Sequence, residues 1–465
     1  MSGPLSPWLT WLIDAGQWVF LVYFIGLNML ALRELGRDAA MPADLNLPGY
    51  GAAMAPGISL IAPAYNEEAN IAASVRSMLQ LDYPDIEIIV VNDGSRDQTL
   101  AVLQREFELQ AFPVAYRVSI PVEPVRGIYR SARHPQLLVI DKANGGKADA
   151  LNAGINAARH DLFCAVDADS VLQRDSLRRI ARPFLEDHRV VACGGTIRIA
   201  NGCVIEQGFL RSVGVPHNLL ARIQVTEYLR AFLFGRLGWA PLNALLIISG
   251  AFGLFRRSAV VAAGGYRRST IGEDMELVAR MHRLGRETGS DYRIAYVPDP
   301  VCWTEAPESL AVLRAQRVRW QRGLLESLWL NRGLLFSRRG GLVGWLAFPV
   351  MLLFEALGPA IELIGLALMA VAAATGLISP EAFLTFIGLA VALGLMLSAS
   401  ALLMEEMSFH LYPKWSQLLE LAGAILIENL GYRQINSWWR LKGTWLWLRG
   451  RPAIWGDMQR KGVGR

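Results

Sequence analysis

Asp167 and Asp169 follow directly on Phe163-Cys164-Ala165-Val166, a mostly apolar run that reads as a buried strand. Side chains two apart on extended backbone point the same way, so a rigid strand end presents two hard oxygen ligands together. Such a pair suits a divalent cation that keeps other positions for water and substrate phosphates. A lone D-x-D more often caps the following helix, so the weight rests on what accompanies it. Two further loops carry acids just after apolar runs: Pro63-Ala64-Tyr65-Asn66-Glu67 and Asn92-Asp93-Gly94-Ser95. Asn144-Gly145-Gly146-Lys147 opens a helix through Asn156. Glycines and a lysine at a helix start can hold a phosphate, although the spacing is not that of a P-loop. Gly272-Glu273-Asp274 opens another helix, reaching about Leu284, where the acids either cap or do chemistry.

The elements that position these residues alternate. Ile58–Ala62 reads as a strand, Glu67–Leu81 as a helix, Ile86–Val91 as a strand and Thr99–Phe107 as a helix, which predicts a parallel sheet with crossover helices. Ligands in such sheets bind beyond the carboxyl ends of the strands, where the three acidic loops lie. Ser249-Gly250-Ala251-Phe252-Gly253 is a small-residue turn, a candidate wall that would let a ligand approach the backbone. The basic stretch Arg126–Arg133 reads as a loop, either solvated or touching an anionic ligand. Tyr228–Ile248 either lies along a membrane surface or belongs to the domain core. Pro307–Trp329, with arginines at 314, 317, 319 and 322, reads as one or two amphipathic helices at a lipid interface.

The chain has 465 residues, of which 53% are hydrophobic and 14 are tryptophan, a texture that places part of it in lipid. Trp8–Leu32 is long and apolar enough for one transmembrane helix within residues 1–40, and Arg33 and Arg37 after it put the N-terminus outside and the next domain in the cytosol. A signal peptide is disfavoured, because no Lys or Arg precedes the run and no small-residue cleavage site closes it. Residues 41–57 form a linker, 58–310 the soluble domain and 311–340 the interfacial helices. Within 341–432, Leu342–Leu377 and Phe383–Met404 are long enough to span, and Leu418–Leu430 reads as interfacial or re-entrant. Glu355 and Glu362 are costly in hydrocarbon and must face protein or a water-filled path. Residues 433–465 form a basic, Trp-rich cytosolic tail, where the small net charge of +5 concentrates. Cys164, Cys193, Cys203 and Cys302 have no C-x-x-C pairing and suit buried thiols in a reducing compartment. No nucleic-acid partner is expected.

Taken in order, Tyr65-Asn66-Glu67-Glu68, Val91-Asn92-Asp93-Gly94-Ser95, Gly146-Lys147-Ala148-Asp149-Ala150-Leu151-Asn152, Asp167-Ala168-Asp169, Gly272-Glu273-Asp274 and Gln316-Arg317-Val318-Arg319-Trp320 resemble the family-two inverting glycosyltransferases. The likeness is to the membrane-embedded, processive branch that makes cellulose, hyaluronan, chitin and poly-N-acetylglucosamine, and it covers about Ile58–Trp320. It implies an α/β GT-A fold, Rossmann-like with a mostly parallel sheet, in a cytosolic domain joined to transmembrane helices of a bacterial-type inner or plasma membrane. It implies a UDP-sugar donor (UDP-N-acetylglucosamine or UDP-glucose), a glycan acceptor, and Mg²⁺ or Mn²⁺ on Asp169 and Asp167. Tyr65, Glu67 and Asp93 become the uridine-binding set, with Lys147 and Arg319 near the diphosphate. Asp274 becomes the catalytic base, and Ser249, Gly250, Gln316 and Trp320 the acceptor wall. The R-x-x-x-R and D-x-S-x-x-G pair of a cyclic-dinucleotide sensor is missing from the C-terminal region, so regulation or export would depend on a partner protein.

Overall fold

The apolar runs Ile58–Ala64 (β1) and Ile86–Asp93 (β2) are buried along nearly their whole length, which requires layers on both faces and hence the middle of a sheet. In the computed structural model, described for residues 22–37, 55–112, 118–168, 170–206 and 208–451, they pair in parallel with Ile58 opposite Ile86. The remaining strands are Leu109–Ala111 (β3), Val125–Ser131 (β4), Leu137–Lys142 (β5), Leu162–Val166 (β6), Val171–Leu172 (β7), Val190–Ile199 (β8), Val204–Glu206 (β9), Phe209–Ser212 (β10), Phe252–Arg256 (β11) and Arg293–Thr304 (β12). Ten of them form one sheet in the order β3-β4-β5-β2-β1-β6-β11-β8-β12-β7, and β9 and β10 make a separate hairpin.

The sheet is mixed rather than mostly parallel. β1–β2, β1–β6, β2–β5 and β8–β12 are parallel, while β3–β4, β4–β5, β6–β11, β8–β11 and β7–β12 are antiparallel. The reversal at β11 matters most. Phe252 at its start lies opposite Val166 at the end of β6, so the small-residue turn before β11 and the acids after β6 share one sheet edge. The basic stretch expected as a loop is instead mostly strand β4, paired between β3 and β5. Arg126 pairs with Asp141, Arg130 lies 4.0 Å over the Phe112 ring and Arg133 pairs with Glu108, so these cations are used within the sheet.

Residues 22–37 form helix α1, followed by Ile71–Met78 (α2), Thr99–Phe107 (α3), Lys147–Ala157 (α4), Ser176–Glu186 (α5), Leu219–Leu229 (α6), Arg257–Ala262 (α7), Glu273–Thr288 (α8) and Leu310–Leu330 (α9). α2 starts later than its periodicity predicts, because residues 65–70 form a loop tied to the one after β2. Asn66 N–H donates to Ser95 Oγ, Glu67 N–H to Thr99 Oγ1 and Gln98 N–H to Glu68 Oε2. The N-terminal span expected over Trp8–Leu32 lies largely outside the described residues. Within α1, Phe24, Leu27, Ala31 and Leu35 are buried and Val22, Ile25, Met29 and Leu32 are exposed, a one-sided stripe.

Among the described residues, Pro380–Ser408 is the helix long and apolar enough to cross a membrane, and Val343–Ala356 with Gly358–Ala374 would make a second span bent by 49°. Trp415–Ile427 is shorter, and Arg433–Leu448 packs against α9, where Gly443 meets the Val318 carbonyl. Tyr228–Ile248 joins the core: α6 runs into a π-helical turn at Arg230–Arg236, and Leu233, Leu237 and Leu245 are buried. Four acids of the C-terminal helices meet arginines, which offsets the cost of bare charge in hydrocarbon. Glu362 accepts from Arg433 at 2.9 Å and from Ser437 at 2.7 Å, Glu355 pairs with Arg440, Glu420 with Arg222 and Glu428 with Arg230.

Arg198 of β8 and Glu405 of the Pro380–Ser408 helix form a fully buried ion pair that docks this helix on the sheet. Removing one partner strands the other charge in protein. Arg198→Met is therefore expected to lower stability by about 3–5 kcal/mol, and Arg198→Met with Glu405→Leu to recover most of it, as read by thermal unfolding in detergent.

Candidate active site

The carboxyl ends of β1, β2 and β6, the turn before β11 and the N-terminus of α8 open onto one cavity of about 2760 Å³. It runs from Tyr65 and Glu67 past Lys147, Asp167, Gly250 and Asp274 to Gln316, Arg319 and Trp320, then on between the Gly358–Ala374 and Pro380–Ser408 helices. All the residues selected from the sequence that are described reach this cavity wall; Asp169 lies outside the described residues.

Lys147 is the hub. Its Nζ lies 2.5 Å from Asp167 Oδ1 and 3.8 Å from Glu273 Oε1, and it donates to the Gly250 carbonyl at 3.2 Å. Burial alone would lower the ammonium's pKa, but the Asp167, Glu273 and Asp274 carboxylates outweigh it and hold the group protonated, above the usual lysine range. The other side of the Gly250 peptide turns to the second carboxylate: its N–H donates to Asp274 Oδ2 at 3.0 Å, while Met275 N–H donates to Asp274 Oδ1 at 2.8 Å. A Cβ at position 250 would stand 3.1 Å from Lys147 Nζ and 3.3 Å from Asp274 Oδ2, so a side chain there would crowd both.

Asp93 is engaged within the chain. Oδ1 accepts from Lys142 at 2.6 Å and Gly145 N–H at 3.0 Å, and Oδ2 from Gly146 N–H at 2.7 Å and Asn144 at 3.2 Å. Both oxygens thus accept hydrogen bonds within the chain, so this carboxylate fastens the Gly145-Gly146-Lys147 turn at the cavity wall. Lys142 is buried behind it and also pairs with Asp149 at 2.5 Å. Tyr65 is 42% exposed at the cavity mouth, free to present its ring, and Glu67 is half-buried beside it.

α9 carries the Q-x-x-R-W residues along the cavity. Gln316 is buried with its Oε1 unpartnered, while Trp320 is 43% exposed with the Arg317 guanidinium 4.6 Å from its ring centre. Arg317 also forms a buried pair with Glu227. Two glycines lock α9 to the start of α8: a Cβ on Gly272 would meet the Gly323 carbonyl at 2.7 Å, so only glycines let these backbones touch. Ser327 Oγ donates to the Gly272 carbonyl at 3.1 Å and Glu326 accepts from Ile271 N–H at 3.1 Å.

As for a cation, Asp167 sits at the strand end with its side chain 30% exposed to the cavity and one carboxylate oxygen on Lys147. Its other oxygen suits a hard divalent ion. Among the described residues no group of three acids, histidines or cysteines is placed to hold a metal ion.

Glu273 was legible as part of a motif but not as a member of the site. Burial pushes its carboxyl up to about 7 even though Lys147 pulls it down, and Asp274 adds to the rise. The folded chain therefore binds this proton more tightly than the unfolded chain, whose ordinary value is 4.5. The ionisation penalty is absent below 4.5 and is felt fully above about 7, so stability falls across that window. Thermal unfolding should show Glu273→Gln gaining on the parent chain as pH rises through this window, and a constant difference would contradict the assignment.

Residues 59–120 match the family model described as "Glycosyl transferase family 2", and residues 122–323 match "Glycosyltransferase like family 2". The chain is 30% identical over 278 residues to the poly-beta-1,6-N-acetyl-D-glucosamine synthase of Staphylococcus epidermidis, covering 59% of this chain and 57% of that protein. With the synthase of the same name from Staphylococcus aureus (strain COL) it shares 32% over 270 residues, covering 57% and 54%. The chain thus spans little more than half the length of these relatives. Among solved structures, the mannosyltransferase PcManGT from Pyrobaculum calidifontis, in complex with GDP-Man and Mn²⁺, is 20% identical with a TM-score of 0.52, covering 89% of this chain and 97% of that one. That likeness speaks for a GT-A fold alone. With two models of one family meeting end to end across the domain that builds the cavity, the chain belongs to glycosyltransferase family two.

Proposed function

We propose that this chain is a membrane-integral inverting glycosyltransferase that moves a sugar from a UDP-sugar to a growing β-linked polysaccharide and passes the product along its own helices. The observation that carries this reading is the Gly250 peptide, which joins Lys147 with Asp167 on one side to Asp274 on the other. A single rigid turn thereby sets the distance between a diphosphate-holding cation and a base, and fixed geometry of this kind is a large part of the catalysis such a transfer needs. The relatives' names support N-acetylglucosamine as the first donor sugar to try.

In this reading Tyr65 stacks on the uracil, with Glu67 close to the nucleoside. Asp274 takes the proton of the acceptor hydroxyl as its oxygen bonds to the anomeric carbon from the face opposite UDP. The bond from that carbon to the diphosphate breaks in the same displacement, and Lys147 and Arg319 stabilise the charge on the departing oxygens. Mg²⁺ or Mn²⁺, held by Asp167 and Asp169, would supply further neutralisation of the diphosphate. Trp320 offers an indole face to the acceptor sugar, with Ser249, Gly250 and Gln316 along its path. The cavity's continuation between the Gly358–Ala374 and Pro380–Ser408 helices favours a product or acceptor that reaches the bilayer on the cytosolic domain's membrane side. Because that far wall is apolar, addition of one sugar to a lipid acceptor is the second reading.

The test is UDP release by the purified, detergent-solubilised chain with Mn²⁺ or Mg²⁺ across a panel of UDP-sugars, with the product sized on the same samples. Material that lengthens with time supports a synthase, a single sugar adduct supports the second reading, and no release with any donor would overturn both. Asp274→Asn is expected to lower release by about 10²–10⁴-fold while UDP still binds. Trp320→Ala should depress elongation more than hydrolysis of the donor.

A further inference from the structure

Asp274 stands in the first turn of α8, two residues after a helix cap that has no side chain, Gly272. The leading N–H groups of a helix have no partners within it, so a first turn without a side-chain cap is prone to fray. Here the turn is held from outside, by α9. Glu326 Oε2 accepts from Thr270 Oγ1 at 2.9 Å and from Ile271 N–H at 3.1 Å. Thr270 Oγ1 in turn accepts from Gly272 N–H at 3.1 Å, while the Gly272 carbonyl accepts from Ser327 Oγ at 3.1 Å. Both polar groups of the cap residue are therefore tied to one turn of α9.

Glu326 lies behind the cavity wall and does not line it. Its carboxylate is 17% exposed and faces Arg322, whose Nη2 is 3.7 Å from Oε1, so the charge is balanced within α9. The loop that it grips is fixed at its other end by α4, the helix that Lys147 opens. Asn152 accepts from Tyr266 N–H at 2.7 Å and donates to the Tyr266 carbonyl at 2.8 Å, and Arg268 pairs with Asp149 at 3.2 Å. Residues 266–272 thus bridge the helix that begins at Lys147 and the helix that carries Trp320, and they lead straight into Asp274. On the cavity side Asp274 is held by Gly250 N–H alone among the groups of other elements named above. We propose that Glu326 is a positioning residue for Asp274: from behind the cavity it fixes the first turn of α8, and with it the reach of the base toward the acceptor hydroxyl. This rests on Asp274 being the base of the proposed function, and it adds a residue that governs turnover without touching either substrate.

The test compares Glu326→Ala, Glu326→Gln and Thr270→Val in the full chain in detergent, by steady-state UDP release and by amide hydrogen exchange. Glu326→Ala is expected to lower kcat by about 10²-fold while KM for the UDP-sugar stays within about twofold of the parent value, because Tyr65, Lys147 and Asp167 are held by other elements. Glu326→Gln keeps an acceptor oxygen for Ile271 and Thr270 and should recover most of the lost rate. Thr270→Val removes the hydroxyl between Glu326 and Gly272 and should lose roughly tenfold in kcat. Exchange over residues 270–276 should quicken by about tenfold in Glu326→Ala, with β1 and β2 unchanged. An unchanged kcat in Glu326→Ala, an equal loss in Glu326→Gln, or faster exchange spread over the whole chain would overturn the proposal, the last by making the role one of general stability. If the parent chain releases no UDP with any donor, the transferase reading falls by itself. The hold on α8 is then judged by exchange alone: a rise confined to 270–276 upholds it, and no rise overturns it.

Discussion

One ammonium group in a nearly closed setting governs the geometry of the whole site. Lys147 has to satisfy its charge against Asp167 and Glu273 and its remaining donor capacity against the Gly250 carbonyl, so the end of β6, the start of α8 and the turn before β11 are drawn to a common point. Fixing an ammonium among three carboxylates is favourable only while all the partners stay close, since burial penalises the charge as soon as one leaves. Lys147 is itself set by the turn before it, which hangs on the Asp93 carboxylate, and that carboxylate is backed by the buried Lys142. A second line of buried charge thus supports the first.

The reversed strand makes this convergence possible. In an all-parallel arrangement the loop after β6 and the loop leading into the next strand would lie at opposite ends of the sheet. Running β11 antiparallel beside β6 brings Ala251 to Asp167, whose N–H donates to the Ala251 carbonyl at 3.3 Å, and places Gly250 between the two carboxylates. The helices of the C-terminal region then attach through charge: Arg198–Glu405, Arg230–Glu428 and Arg440–Glu355 each join an acid of that region to a cation. Every such pair is also a constraint on how those helices sit beneath the site.

Much of this was legible in the sequence. The three acidic loops stand at strand ends because apolar runs stop where they do, α3 keeps its predicted limits, and Glu355 and Glu362 find cations as the cost of buried charge demands. Other features depend on contacts between distant segments and leave no local trace. The direction of β11 is a property of its neighbours, the Arg126–Arg133 stretch becomes mostly strand only because β3 and β5 are there to pair with it, and the hydrogen bonds of Asp93 come from a lysine and two glycines about fifty residues away.

The two close backbone contacts of α9 have a mechanical consequence. Gly323 rests on Gly272 at the head of α8, and Gly443 of the Arg433–Leu448 helix rests on the Val318 carbonyl, both without an intervening side chain. Side chains act as springs between elements, since rotamers can absorb a small displacement, whereas a backbone seated on a backbone is stiff. α9 therefore behaves as a rigid strut: a load applied to the C-terminal helices, whether from the bilayer or from a chain moving between them, is delivered to Gly272, two residues before Asp274, with little loss.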